Sequence, residues 1–399
     1  MFTPSEVILE RYAHLLVRFA LNGGKGIRPN DVVQLTVPDT AKPLLPFLLR
    51  SVLDAGGHPK IHFVPTQIDK EFLTNATDEQ LRFYPDEFKT AEAALIRHQV
   101  SIIADADPRE LMSVDPRKIF RAMDSRKKFR DLLYKKEQAG TFSWTLALYG
   151  TPAMAAEASI SIEQYWGQIV TACFLDHDDP ITEWKSVQKE QTRIKKALDA
   201  LEIEWLHVEA AHIDLHVQVG KNRRWLGGTC RNIPSFELFI SPDWHGTKGK
   251  IAFSQPLYRY GNILRGVELE FSDGLVTRAS ATEGQTVLES MIARTHANRI
   301  GEYSLTDRRF SKITTFMANT LYDENVGGPF GNTHLALGRA YRDSYTGDPD
   351  KLSEHDWDAL GFNDSPEHTD IISTEDRIVT ATLPSGQKKV IFKDGMFTV

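Results

Sequence analysis

The chain has 399 residues, 41% apolar and 25% charged, with a formal net charge of −7. That balance is ordinary for a globular protein and, with no basic run, argues against nucleic acid or an anionic membrane as partner. No stretch approaches the ~18 apolar residues of a membrane span, and the start lacks the pattern of a secretory signal. The cysteines Cys173 and Cys230 are too few for a disulfide framework, so a reducing, cytoplasmic location is expected.

Residues 6–21 set Ile8, Tyr12, Leu15, Leu16 and Phe19 at helical spacing, before Gly23, Gly24 and Pro29 break the pattern. Residues 31–37 then read as a strand, 42–53 as a helix stopped by Gly56 and Gly57, and 60–64 as a second strand. Strand, helix, strand in that order predicts a parallel sheet flanked by helices. Helical patterns return at 88–98, 116–137 and 161–175, the last with Ser161 as N-cap. Apolar runs at 101–104 and 144–148 supply further strands, and a charged helix follows from Thr182 to about Glu202. A boundary near residue 180 is therefore expected, with an N-terminal α/β domain over 1–180 and a C-terminal domain over 181–399.

Beyond residue 205 the pattern turns to strand. Ile213, Leu215, Val217 and Val219 alternate with polar positions, and Val267–Phe271 runs into a Ser272-Asp273-Gly274 turn. Residues 378–382 and 390–392 flank a second turn at Ser385-Gly386. The expected fold class is an α/β domain with a parallel sheet, followed by an α+β domain with a largely antiparallel β component.

Several residues in the second half carry chemistry. Glu237 lies in the apolar segment Pro234–Ile240, where an ionised carboxylate is costly without a cation or donor. A half-exposed strand would instead turn it to solvent. In His368-Thr369-Asp370 the outer residues are two apart and share a face of a strand, offering the nitrogen and oxygen donors that zinc, cobalt or manganese accept. Alone, that motif describes a surface loop pair equally well. His334 and Tyr341 are seven apart and share a face if the segment is helical, which sets a metal ligand beside a hydroxyl suited to an oxyanion. Tyr341 also reads as an ordinary core aromatic. The glycines at 327, 328 and 331 lack the lysine of a phosphate-binding loop and read as a tight loop delivering His334. Glu302 opens an apolar-alternating stretch. No Gly-x-Ser-x-Gly, His-Glu-x-x-His or Gly-x-Gly-x-x-Gly pattern is present.

Taken in order, Asn232–Phe239, Gly301-Glu302-Tyr303, Thr320–Asn325, Asn332–Gly338 and Asn363–Asp370 resemble the thermophilic-aminopeptidase family of metallopeptidases, the aminopeptidase T, aminopeptidase S and PepS type. Leu9–Val17 and Leu53–Gly57 extend a looser likeness into the first half. The resemblance implies two divalent ions per subunit (zinc, cobalt or manganese) held by Glu237, Glu302, His334, His368 and Asp370. Tyr341 would line the site and hydrogen-bond the tetrahedral intermediate, with Glu302, or alternatively Glu324, as general base. Peptides with a free N-terminus are the implied substrates, and a homodimer the implied assembly. Phe236 departs from the glycine usual before that glutamate, which is expected to narrow the nearby pocket without removing a ligand. The competing readings are a metallohydrolase of the same scaffold acting on another amide, and a metal-stabilised peptide-binding protein without turnover.

Overall fold

A computed structural model describes residues 2–399. The chain forms two compact units, one comprising Met1–Ser186, Thr229–Ser235 and Tyr260–Asn262, the other Val187–Gly228, Phe236–Arg259 and Ile263–Val399.

The first unit is built on a parallel sheet of β1 (Val32–Pro38), β2 (His58–Val64), β3 (His98–Ile103), β4 (Ser143–Leu148) and β5 (Asn232–Ile233), in the order β2-β1-β3-β4-β5. Val33, Leu35 and Val37 of β1 are fully buried, as are Leu48 and Val52 on the helix Leu45–Asp54 that follows it. Each such aliphatic side chain contributes roughly 1.5–3 kcal/mol by leaving water. Tyr12, on the helix Glu6–Leu15, donates its hydroxyl to the Leu148 carbonyl at 3.0 Å, so even the polar tip of this buried ring is satisfied.

Local chemistry accounts for the helix boundaries. Ser161 caps the helix Ile162–Ala172, and Gln164 answers from the third position to complete a capping box. Two helices expected to be continuous are not. The first passes into a π-helical turn over Leu16–Ala20, and the segment 116–137 is two helices, Pro116–Ser125 and Lys127–Gln138, either side of Arg126.

Most of the described strands of the second unit fall into two antiparallel sheets. One has eight strands and includes the hairpins Trp205–Ala210 with Ile213–Gln218 and Glu268–Ser272 with Leu275–Ser280, the latter turning at Asp273-Gly274. The other has four: β6 (Glu237–Ile240), β7 (Ile300–Thr306), β8 (Asn332–Gly338) and β9 (His368–Ser373), in the order β9-β8-β7-β6. A parallel α/β unit and an antiparallel, strand-rich unit are thus both present, as the residue patterning predicts. Every residue of β6, β7 and β8 is buried, so this small sheet is covered on both faces.

Candidate metal centre

The register of the four-stranded sheet decides which side chains meet. His368 pairs with Gly338, Asp370 with Ala336, and Ile372 with His334. Across the next ladder His334 pairs with Ser304 and Ala336 with Glu302, and at the edge Thr306 pairs with Glu237. Directly opposed residues share a face, and so do residues two apart on one strand. His368, Asp370, His334, Glu302 and Glu237 therefore all project from the same face. The positions between them are Gly338, Ala336, Ser304 and Thr306, which leave that face room at its centre.

A bulge aims Glu302. The β7–β8 register shifts between Ile300 and Glu302, so the intervening residue is Gly301. A Cβ there would lie 2.3 Å from the Arg339 carbonyl oxygen, closer than any side chain tolerates. Gly338 closes the opposite strand at φ +103°, against the Glu367 carbonyl.

On this face His334 Nε2 lies 3.0 Å from Glu237 Oε2, 3.1 Å from Glu302 Oε1 and 3.9 Å from Asp370 Oδ1. His368 Nε2 lies 3.4 Å from Asp370 Oδ1 and 3.9 Å from Glu302 Oε2. Two overlapping triads result, Glu237/Glu302/His334 and Glu302/His368/Asp370, each with its donor atoms within 4.8 Å of one another. Glu302 belongs to both. His368 Nδ1 donates to the Arg339 carbonyl at 2.8 Å, which fixes the ring and turns Nε2 toward the carboxylates.

So many ionisable groups without water distort one another. Burial together with Glu237 raises the Glu302 carboxyl to about 7, despite the opposing hydrogen bond from His334. Burial likewise raises the Glu324 carboxyl well above its usual range, helped by Glu237 and Asp370. For the imidazoles burial works downward, but the surrounding carboxylates win: His334 is well above its ordinary value and His368 is raised to about 9. The nearby His368 and His334 overcome burial and hold Asp370 low. Glu302 Oε2 and Asp370 Oδ1 are buried with no hydrogen-bond partner. Anionic oxygens clustered in this way, beside imidazole nitrogens, fit divalent cations of the zinc, cobalt or manganese class.

Tyr341 stands beside this face but not through helical spacing. His334 lies on a strand that ends at Gly338, so the shared helical face expected for residues 334 and 341 does not exist. Tyr341 instead follows the strand, its backbone N–H donating to Ser241 Oγ at 2.8 Å. Its ring packs edge-on to His368, with centroids 5.0 Å apart, and tilts against Phe239 at 5.7 Å. The loop ahead of β8 contains a short helix, Thr320–Asp323, with Glu324 buried at its end. Asn325 ties this loop to the start of β6 by accepting the Phe236 N–H at 2.6 Å. Phe236 itself is wholly buried.

Spacing did not draw attention to three supporting residues. Ser304 donates to Glu237 Oε2 at 3.1 Å, and its place two residues after Glu302 on a strand was the available signal. Arg259 donates to the His368 carbonyl at 2.6 Å and lowers Asp370, while Arg294 pairs with the buried Glu367 at 3.0 Å. Neither arginine has a sequence signature.

The profile of the thermophilic metalloprotease (M29) family matches residues 5–397. Aminopeptidase 2 of Geobacillus stearothermophilus is 27% identical, with 97% of each chain covered. Aminopeptidase PepS of Streptococcus thermophilus is 26% identical over 98% of each chain. The solved structure of wild-type AmpT from Thermus thermophilus superposes with a TM-score of 0.84 at 22% identity, covering 98% of this chain and 99% of that one, which is a likeness of fold.

Proposed function

We propose that this chain, which belongs to the thermophilic metalloprotease (M29) family and is a metallo-aminopeptidase, removes N-terminal residues from peptides at a two-metal centre held by Glu237, Glu302, His334, His368 and Asp370. The observation that carries the two-ion reading is the pair of ligand triads sharing Glu302 on one face of the small sheet. In this reading Glu237 and His334 would hold one ion and His368 and Asp370 the other, with Glu302 within reach of both. When bound, the ions supply Lewis acidity to the scissile carbonyl and its attacking water, and a cationic neighbourhood in which the substrate's α-amine is held neutral.

The remaining steps fall to the chain's own groups. Tyr341, packed against His368, donates its phenolic hydrogen to the carbonyl oxygen as negative charge builds there. A proton acceptor is also needed. Glu302 is the first candidate by position, but a carboxylate shared by two cations has little basicity left. Glu324, buried in the same electrostatic field and outside both triads, is the better-placed acceptor under this scheme. Ser304 and the Arg339 carbonyl orient Glu237 and His368. Peptides with free N-termini are the proposed substrates, in a homodimer and a cytoplasmic setting. No helix among the described residues is long and apolar enough to cross a membrane.

The test is turnover of a peptide panel by purified protein supplied in turn with Zn²⁺, Co²⁺ and Mn²⁺. Unblocked peptides are expected to lose their first residue while N-acetylated copies persist. Equal cleavage of blocked and free peptides would favour hydrolysis of another amide, and silence with every metal would leave only the peptide-binding alternative.

A further inference from the structure

A second constellation of metal-ligating side chains lies on the eight-stranded sheet, apart from the one that carries the catalytic carboxylates. In the hairpin Trp205–Ala210 with Ile213–Gln218, His207 pairs directly with His216 and Glu209 with Asp214. All four project from one face, because the alternate residues Leu206, Val208, Leu215 and Val217 are fully buried on the other. The two imidazoles stack with centroids 4.1 Å apart and planes 7° from parallel. His207 Nε2 lies 2.9 Å from Asp214 Oδ1, and His216 Nε2 lies 4.0 Å from the same oxygen. The three donor atoms fall within 4.8 Å of one another.

We infer that His207, Asp214 and His216 form a surface site for one divalent transition ion of the zinc, nickel and copper class. Metal–ligand bonds of roughly 2.0–2.1 Å let neighbouring donors stand about 3–4 Å apart, and the stacked imidazoles turn about their side-chain bonds for both Nε2 lone pairs to converge on one ion. The other nitrogen of His207, Nδ1, lies 3.4 Å from Glu209 Oε2. In the ion-free chain His207 Nε2 donates to Asp214 Oδ1, and an ion would take the place of that proton, with Nδ1–H turned to Glu209. That is the carboxylate–histidine pairing that orients metal-bound imidazoles generally. Two nitrogen donors exclude calcium and magnesium. Lys248 and Lys250 of the adjoining strand pair with His216 and Asp214, and their charge weakens the site. Copper, the strongest binder in the divalent series, is therefore the ion that fills it most readily. A bound ion would rivet the two strands of the hairpin together.

Wild-type protein and the single variants His207→Asn and His216→Gln are stripped with chelator and dialysed against Cu²⁺, then against Ni²⁺. Bound ions are counted by elemental analysis, and Cu²⁺ nitrogen hyperfine splitting is recorded. Each variant is expected to hold one ion per chain fewer than wild type and to lose a two-nitrogen copper signal, with aminopeptidase activity in Zn²⁺ unchanged. Melting curves in chelator show whether each variant is folded, and either folded variant decides the outcome. Because the readout is a difference of one ion, it does not depend on how many ions the catalytic centre takes. Equal ion counts and equal spectra in wild type and folded variant would overturn the assignment.

Discussion

Tyr341 packs its ring edge-on against His368 and holds no place in either ligand triad. A hydroxyl that acts only as charge develops contributes to turnover and not to binding. Tyr341→Phe is therefore expected to lower kcat by about 100-fold with KM and metal content nearly unchanged, measured by steady-state kinetics and elemental analysis. A KM effect of that size with kcat preserved would instead make Tyr341 a substrate-binding residue. Residues differ in how openly the chain advertises them. His368 and Asp370 were legible because a strand's period of two brings them to one face whatever surrounds them. Glu237 was half-legible, since its apolar neighbours raise the cost of a charge there but do not say what offsets it. Glu302 had no such signal, because the alternation of its stretch would equally turn it to solvent, whereas β7 is buried on both sides.

At the scale of elements, the centre depends on how β7 and β8 lie against each other. His-Leu-Ala-Leu-Gly fits a helix or a doubly buried strand equally well by apolar content, so the helical condition on the 334–341 spacing fails only once the strand is seen. The bulge at Gly301 is a property of the pair of strands and is invisible in either alone. Gly338→Ala puts a methyl group 2.2 Å from the Glu367 carbonyl oxygen at a backbone conformation that alanine disfavours. The substitution is expected to cost roughly 1–3 kcal/mol of stability, read from thermal or denaturant unfolding. Activity should fall further than the lost stability explains, because the His368 and Glu302 ends of both ladders shift together. Retained activity in a stable variant would show that the strand ends relax around the methyl group. The parallel sheet of the first unit was easier to foresee, since its strands alternate with helices along the chain and each break carries Gly or Pro.

For the whole molecule, metal and fold are linked. In the metal-free protein the imidazoles of His334 and His368 are raised, His368 to about 9, and the Glu302 carboxyl is raised to about 7. A raised histidine contributes stability at low pH and loses it as pH climbs through the folded value. A raised carboxyl likewise costs stability once pH rises above its unfolded value. Both trends weaken the metal-free protein with increasing pH, while cations bind more tightly as the imidazoles give up protons. Chelation is thus expected to lower Tm, and by more at pH 8 than at pH 6. An ion at 1,000 times its Kd adds about 4 kcal/mol, so the shift is readily followed by calorimetry. A Tm indifferent to chelator at both pH values would separate the centre from folding stability.

The alternation of ligand and small residue across β6 to β9 makes the centre an all-or-none device. Sliding one strand by a single residue would turn its donors to the opposite side together, instead of loosening one bond length. A misassembled copy is then simply inert. It does not become an enzyme of altered metal preference or relaxed cleavage, which is a useful safeguard for a catalyst that cuts peptides.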